Sequence, residues 1–276
     1  MAEDSIRAII GDGLLTELMI STAVKQSNIN PAVFYVYSKD ENRRKQLREQ
    51  YNVHTMDNLN ELSKAEVVVL ALYPDEAEQI VNQIKNKVAD DALIISNVYG
   101  MSIAKLEKYF PKQAVIRITT TPFIVSGAGL CSYVVGSVHK TDGEVIAQMM
   151  LSNIGKIIKV KSEKEFELIN EIFFAETISA YYTINGMIEG AISAGLSVDI
   201  SREIASQIFD GAAKTLASPD SVIEHLVEKA NKDKRQSEIL KEGQKIIDKY
   251  KMWNFIKRSF DDNSQNSKLL RFHYHW

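Results

Sequence analysis

Residues 6–17, reading IRAIIGDGLLTE, constrain this chain more than any other stretch. Ile6, Ala8, Ile9 and Ile10 make a short apolar run, a Gly11-x-Gly13 turn comes next, and Leu14, Leu15, Leu18, Met19 and Ala23 then recur at helical spacing. That succession is how the first strand of a dinucleotide-binding fold passes into its first helix. Gly11 permits a tight turn. Gly13 lacks a Cβ, so the backbone there can approach a diphosphate held on the unpaired N–H groups and positive dipole end of the helix. On this reading Gly11, Gly13, Leu14 and Leu15 form the cofactor-binding turn. Two features depart from the G-x-G-x-x-G/A fingerprint: Thr16 stands at the third small position, and Asp12 puts a carboxylate between the glycines. Such a carboxylate repels phosphate unless it points to solvent or holds a proton. A bare G-x-G also occurs in plain strand-to-helix turns, so both readings stay open at this point.

Beyond the first helix the chain repeats the alternation of strand and helix. Strands are expected over 32–37 (AVFYVY), 53–56, 66–72 (EVVVLAL), 92–96 (ALIIS) and 114–119, with a charged helix over 40–50, a helix from Pro74 to Val88, and one from Ser102 to Phe110 closed by Pro111. Units of this length imply a parallel sheet with helices on both faces. Strands over 129–136 and 156–160, flanking a helix over 142–152, then extend the sheet edge.

No strand is expected from Glu163 onward. Residues 163–196 read as one helix with apolar residues in nearly every direction, which calls for burial on all sides, and Gly186, Gly190 and Ala194 make a seam for close approach of another helix, in a helical domain or a dimer. Further helices are expected over 201–216, 219–230 and 237–260, then a polar linker (DDNSQNS) and an aromatic tail (KLLRFHYHW). The fold class is therefore α/β: a Rossmann-type doubly wound domain over 1–161, an all-α dimerisation and substrate domain over 162–260, and a linker with its tail over 261–276.

Composition narrows the function classes. A net charge of -3 gives no pull toward nucleic acid or anionic membrane, and nothing approaches the about 20 apolar residues of a membrane span. The single Cys131 leaves no internal disulfide framework and suits a reducing cytoplasm. His273 and His275 alternate in the tail without a third ligand, so no metal is assigned.

In order along the chain, IIGDGLLTEL, MDN at 56–58, ALYP at 71–74, SIAKLEKYFP at 102–111, TPFIVSGAG at 121–129 and AGLSVDISREIASQIFDGAAKTL at 194–216 resemble the motifs of the pyrroline-5-carboxylate reductase family. The resemblance runs from about Ile6 to Pro219. It implies a nicotinamide cofactor, reduction of a cyclic imine acid to proline, and a homodimer through the helical part. It also places Asn58, Leu72, Tyr73 and Pro74 beside the cofactor. The chain departs from the family where FFAETIS at 173–179 replaces a glycine- and proline-containing break, and where VEKANKD occupies the place, near 227–233, of a substrate loop rich in glycine and hydroxyls.

For the ribose end of the cofactor, Ser38, Lys39, Arg43 and Arg44 stand where a 2′-phosphate binds in such folds, which favours NADP over NAD; a solvated helix face is the alternative. Tyr73 either stacks on the cofactor or covers the sheet edge. For chemistry, Glu176 interrupts an apolar stretch beside Thr177, and Thr121 closes a threonine run after a strand. Glu176, Thr177 and Thr121 are the catalytic candidates, although Glu176 also reads as a surface acid or as a partner to a lysine of another subunit, and the threonines as turn material. His54, His139 and His225 read as structural. The expectation is an NADP-dependent imine reductase acting on a small molecule. A catalytically inactive, nucleotide-binding regulatory paralogue is the alternative.

Overall fold

The computed structural model describes residues 5–26, 29–152 and 154–217, together with 228, 229, 232, 237, 238 and 241. Two units divide the chain, Met1–Phe173 and Phe174–Trp276. The helices expected over 219–230 and 237–260, and the linker and tail after them, lie almost wholly outside the described residues.

In the first unit the elements run β1 (Arg7–Ile10), α1 (Leu14–Gln26), β2 (Phe34–Tyr37), α2 (Glu41–Tyr51), β3 (His54–Thr55), β4 (Val67–Leu70), α3 (Pro74–Ile84), β5 (Leu93–Ser96), α4 (Ile103–Tyr109), β6 (Ala114–Thr120), β7 (Gly129–Val135), α5 (Gly143–Ser152) and β8 (Gly155–Lys159). They build one eight-stranded sheet in the order β3-β2-β1-β4-β5-β6-β7-β8. Strands β1 to β6 pair in parallel.

The alternation of side chains along each strand explains why VVVL, and LIIS up to Ser96, can be apolar. Ile9, Val67, Val69, Leu93 and Ile95 face one core, with Met19, Ile20 and Leu47 from the helices on that side. Ala8, Ile10, Val68, Leu70 and Ile94 face the other, against Ile80, Val81, Ile84 and Leu106. A strand covered on both faces loses the apolar-polar alternation of a half-exposed one. Buried Cys131 on β7 belongs to the first core, and that burial pushes its thiol up to about 12.

Two local differences from the sequence reading have simple causes. Ala32 and Val33 join a 3-10 turn, Pro31–Val33, instead of the strand, because Pro31 stands at the first helical position and the Asn30 side chain accepts from the Ala32 N–H. The sheet is also not parallel to its edge: β7 runs antiparallel to β6, and β8 pairs with β7 in parallel. The link between β6 and β7 carries only a 3-10 turn, Pro122–Ser126, too short for the dozen or so residues of a parallel crossover.

Beyond β8 lies α6 (Glu163–Ser193). Its first turns belong to the first unit, where Phe166 packs with Val134 and Val160. The second unit comprises the rest of α6 and, after a turn at Gly195 (φ +101°), helix α7 (Val198–Ala217). The sequence calls for α6 to be buried on all sides, yet Tyr181, Tyr182 and Ile192 are exposed, Tyr182 by 76%. Among the described residues no atom apart from the chain neighbours and the helix's own backbone lies within 4 Å of where a Cβ would stand on Gly186 or Gly190. The small-residue seam is thus open among the described residues. Among the described residues no helix is long and apolar enough to cross a membrane.

Candidate cofactor site

The strand order reverses between β2 and β4, on either side of β1, and the Gly11-Gly13 turn stands at that switch point. In doubly wound sheets the crevice at this point receives ligands. Gly11 has φ +126°, donates its N–H to the Tyr37 carbonyl at 2.9 Å, and would place a Cβ 2.0 Å from the Ala71 oxygen. Only glycine fits between the ends of β2 and β4. Gly13 is the reverse case: the nearest atom to a Cβ there is the Tyr73 hydroxyl, 4.0 Å away. Its missing side chain leaves open space in front of the helix.

Helix α1 is anchored from behind that space. Leu15 and Met19 are buried in the core, whereas Leu14 is exposed. Thr16, at the third position of the fingerprint, is fully buried and its hydroxyl donates to the Gly11 carbonyl at 3.0 Å. Threonine therefore replaces the small residue by tying the helix to its own turn. The Glu17 N–H bonds back to the Gly13 carbonyl at 3.3 Å, so the amides of Leu14, Leu15 and Thr16 precede the first intrahelical donor. Free amides at a helix start facing open space fit a diphosphate.

At the ribose end, the half-buried Asp12 carboxylate does not stand alone: it accepts a hydrogen bond from the Ser38 hydroxyl, which in turn accepts from the Asp40 N–H at 3.0 Å. Arg43 donates through Nε and Nη2 to the Asp12 carbonyl at 3.3 and 3.1 Å and pairs with Glu17. Glu17 also accepts from the Tyr51 hydroxyl at 2.9 Å; burial first, then this carboxylate, raise the phenol above its usual range. Arg44 donates to the Ser38 carbonyl at 2.6 Å, and Lys39 stands 3.3 Å from Glu76. The cations expected to be either phosphate ligands or a solvated face are thus engaged within the rim itself. An open cleft of about 390 Å³ is lined by Gly11, Asp12, Tyr37, Ser38, Lys39, Asp40, Leu72, Glu76 and Ile80.

The other candidates are more scattered. Leu72 is buried, Tyr73 is half-exposed at the cap of α3, and Pro74 opens that helix. Asn58 caps the 3-10 turn Leu59–Lys64, its side-chain oxygen accepting from the Asn60 N–H at 3.0 Å. Thr121 is buried just after β6, and its hydroxyl accepts from the Leu130 N–H at 3.0 Å, closing the link to β7. Thr177 is buried on the part of α6 in the second unit. The Glu176 side chain lies outside the described residues. The structure therefore brings Gly11, Ser38, Lys39 and Leu72 to one cleft and places Thr121 and Thr177 in different units.

Sequence reasoning missed the buried charge on β6. Arg117 is 1% exposed, bonds through Nη1 to Glu163 at 2.6 Å and Glu167 at 2.5 Å, and lies 4.7 Å over the Phe166 ring. Two strand positions on, Thr119 donates to the Asn170 side-chain oxygen. Burial, then Glu171 and Glu167, raise the Tyr99 phenol, and burial followed by Glu167 raises the Glu171 carboxyl. An arginine inside the strand sequence AVIRITT was the available signal.

Comparison with known proteins agrees with the fold. Residues 7–100 match the family model described as NADP oxidoreductase coenzyme F420-dependent. The chain is 26% identical to pyrroline-5-carboxylate reductase of Arabidopsis thaliana over 215 residues, covering 77% of this chain and 72% of that one. With the Glycine max enzyme of the same name it shares 27% over 218 residues, covering 78% and 79%. The solved structure of the Plasmodium falciparum pyrroline carboxylate reductase with NADP bound superimposes with a TM-score of 0.80 at 19% identity, over 93% of this chain and 96% of that one.

Proposed function

This chain is a divergent member of the pyrroline-5-carboxylate reductase family, and on that premise we propose that it is an NADP-dependent oxidoreductase reducing pyrroline-5-carboxylate, or a related small imine or oxo acid, in the cytoplasm. One observation carries the reading: free helix-start amides stand before the open space at Gly13, at the switch point of a doubly wound sheet. Gly11 shapes the turn, and the amides of Gly13, Leu14 and Leu15 hold the diphosphate; Ser38, Lys39 and Arg43 border the 2′-phosphate; Asn58, Leu72, Tyr73 and Pro74 border the rest of the cofactor. The bound nicotinamide supplies a hydride. The protein then needs to position the imine carbon and keep its nitrogen protonated, the work assigned to Glu176, Thr177 and Thr121.

The helical part, residues 162–260, serves as the homodimerisation and substrate domain. In its support, Ile200, Ile204 and Ile208 are exposed at i, i+4 spacing on α7, as is Tyr182 on α6. No nucleic acid or membrane is a partner on this reading.

One observation favours the second reading, a nucleotide-binding regulatory paralogue without turnover: α6 runs unbroken through residues 173–179, where the motif resemblance implies a glycine- and proline-containing break. Mixing the purified chain with NADPH and pyrroline-5-carboxylate separates the two. NADPH consumption that depends on the imine supports the enzyme; a thermal shift with NADPH and no consumption of it, across a panel of small cyclic imine acids, supports the paralogue.

A further inference from the structure

We infer that Asp12 is a specificity-determining residue of the cofactor site, one that holds down the advantage of NADP over NAD; the inference rests on the cofactor reading above. In dinucleotide folds the ribose 2′-hydroxyl is received by an acid at the end of the second strand. Here the end of β2 offers Ser38, and the acid comes instead from the loop after β1, where the Asp12 carboxylate reaches the Ser38 hydroxyl. A carboxylate at this place accepts a hydrogen bond from a ribose hydroxyl and repels a 2′-phosphate.

The partners of Asp12 sharpen the discrimination. A hydroxyl has one proton to donate, and that of Ser38 already goes to Asp12, so none is left for a phosphate oxygen while this contact stands. The three cations at the rim face acids or carbonyls of the chain: Arg43 with Glu17 and the Asp12 carbonyl, Arg44 with the Ser38 carbonyl and Asp57, Lys39 with Glu76. A 2′-phosphate must displace the Asp12 carboxylate from Ser38 and draw at least one of these cations from its partner. A 2′-hydroxyl needs neither change.

Affinities of the full chain for NADPH and NADH, measured by calorimetry on the natural protein, D12N and D12A, test this. Removing the charge is expected to tighten NADPH about tenfold, the effect of removing one repulsive charge near a partly exposed phosphate, while NADH binding stays level or weakens. Adenosine 2′-monophosphate against adenosine should show the same selectivity change without the diphosphate. S38A, which keeps the Asp12 charge and removes its hydrogen-bond donor, should not tighten NADPH, and it serves as the second variant should the Asp12 variants fail to fold. Equal tightening of both dinucleotides would place the effect at the diphosphate and overturn the inference, as would unchanged affinities. Failure of every protein to bind either dinucleotide would overturn the cofactor reading and the inference together.

Discussion

The Asp12 carboxylate accepts a hydrogen bond from the Ser38 hydroxyl, so the loop after β1 is tied by its side chain to the end of β2. Arg43 holds the same loop by its backbone, through the Asp12 carbonyl, and Thr16 fastens the helix to Gly11. The turn is therefore braced on three sides, and its two glycines have separate duties.

Gly11 serves the fold. Its positive φ and the Ala71 oxygen 2.0 Å from a would-be Cβ leave an alanine no room, because the obstacle is backbone. Gly11→Ala is expected to cost about 3 kcal/mol or more, read as a fall in the urea midpoint of unfolding. A loss under about 0.5 kcal/mol would show that the turn can move away from β4.

Arg117 serves the packing beside β6. Its Nε has no partner among the described residues, while Nη1 holds Glu163 and Glu167 together. Arg117→Ala removes the cation, its packing on Phe166 and the screen between two carboxylates. Because Glu163 and Glu167 still reach water, the expected cost is about 3 kcal/mol, the low end for breaking a buried pair, checked by chemical denaturation.

Glu171 gives a pH-dependent test. Burial, and the Glu167 charge after it, raise its carboxyl in the folded state, so the folded chain holds this proton more tightly than the unfolded one. Its contribution to stability is fully present below the unfolded pKa, about 4.3, and is lost as pH rises through the higher folded value. Glu171→Gln should therefore raise Tm by about 1–3 °C at pH 7 and give no gain below pH 4. Thermal melts at both pH values check the sign; a gain confined to acid would reverse it.

Much of the fold was legible because a sheet buried on both faces needs apolar runs, and VVVL, LII and AVI supply them between helix starts marked by Asp40, Pro74 and Ser102. The direction of β7 was not legible, since a strand's own pattern does not record its neighbour's orientation; only the short link after Thr120 does. At the site, the glycine turn showed itself through residue types that only a turn and a close approach require. Asp12 showed only as a misplaced charge, because its partner Ser38 lies 26 positions away along the chain. Arg117 escaped attention for the same reason: its acids arrive from α6, 46 and 50 positions later.

The central claim is that the free amides just after Gly13, at the start of α1, receive the cofactor's diphosphate, and a thermal shift with NADPH on the natural chain and on Gly13→Ala tests it most directly. A Cβ at Gly13 meets nothing closer than the Tyr73 hydroxyl at 4.0 Å, so the variant should melt with the natural chain when unliganded. Saturating NADPH should raise the Tm of the natural chain by several degrees, about 2.7 kcal/mol of stabilisation at a hundred times Kd, and leave that of the variant unmoved. No shift of the natural chain at millimolar NADPH, or an equal shift of both, would contradict the account.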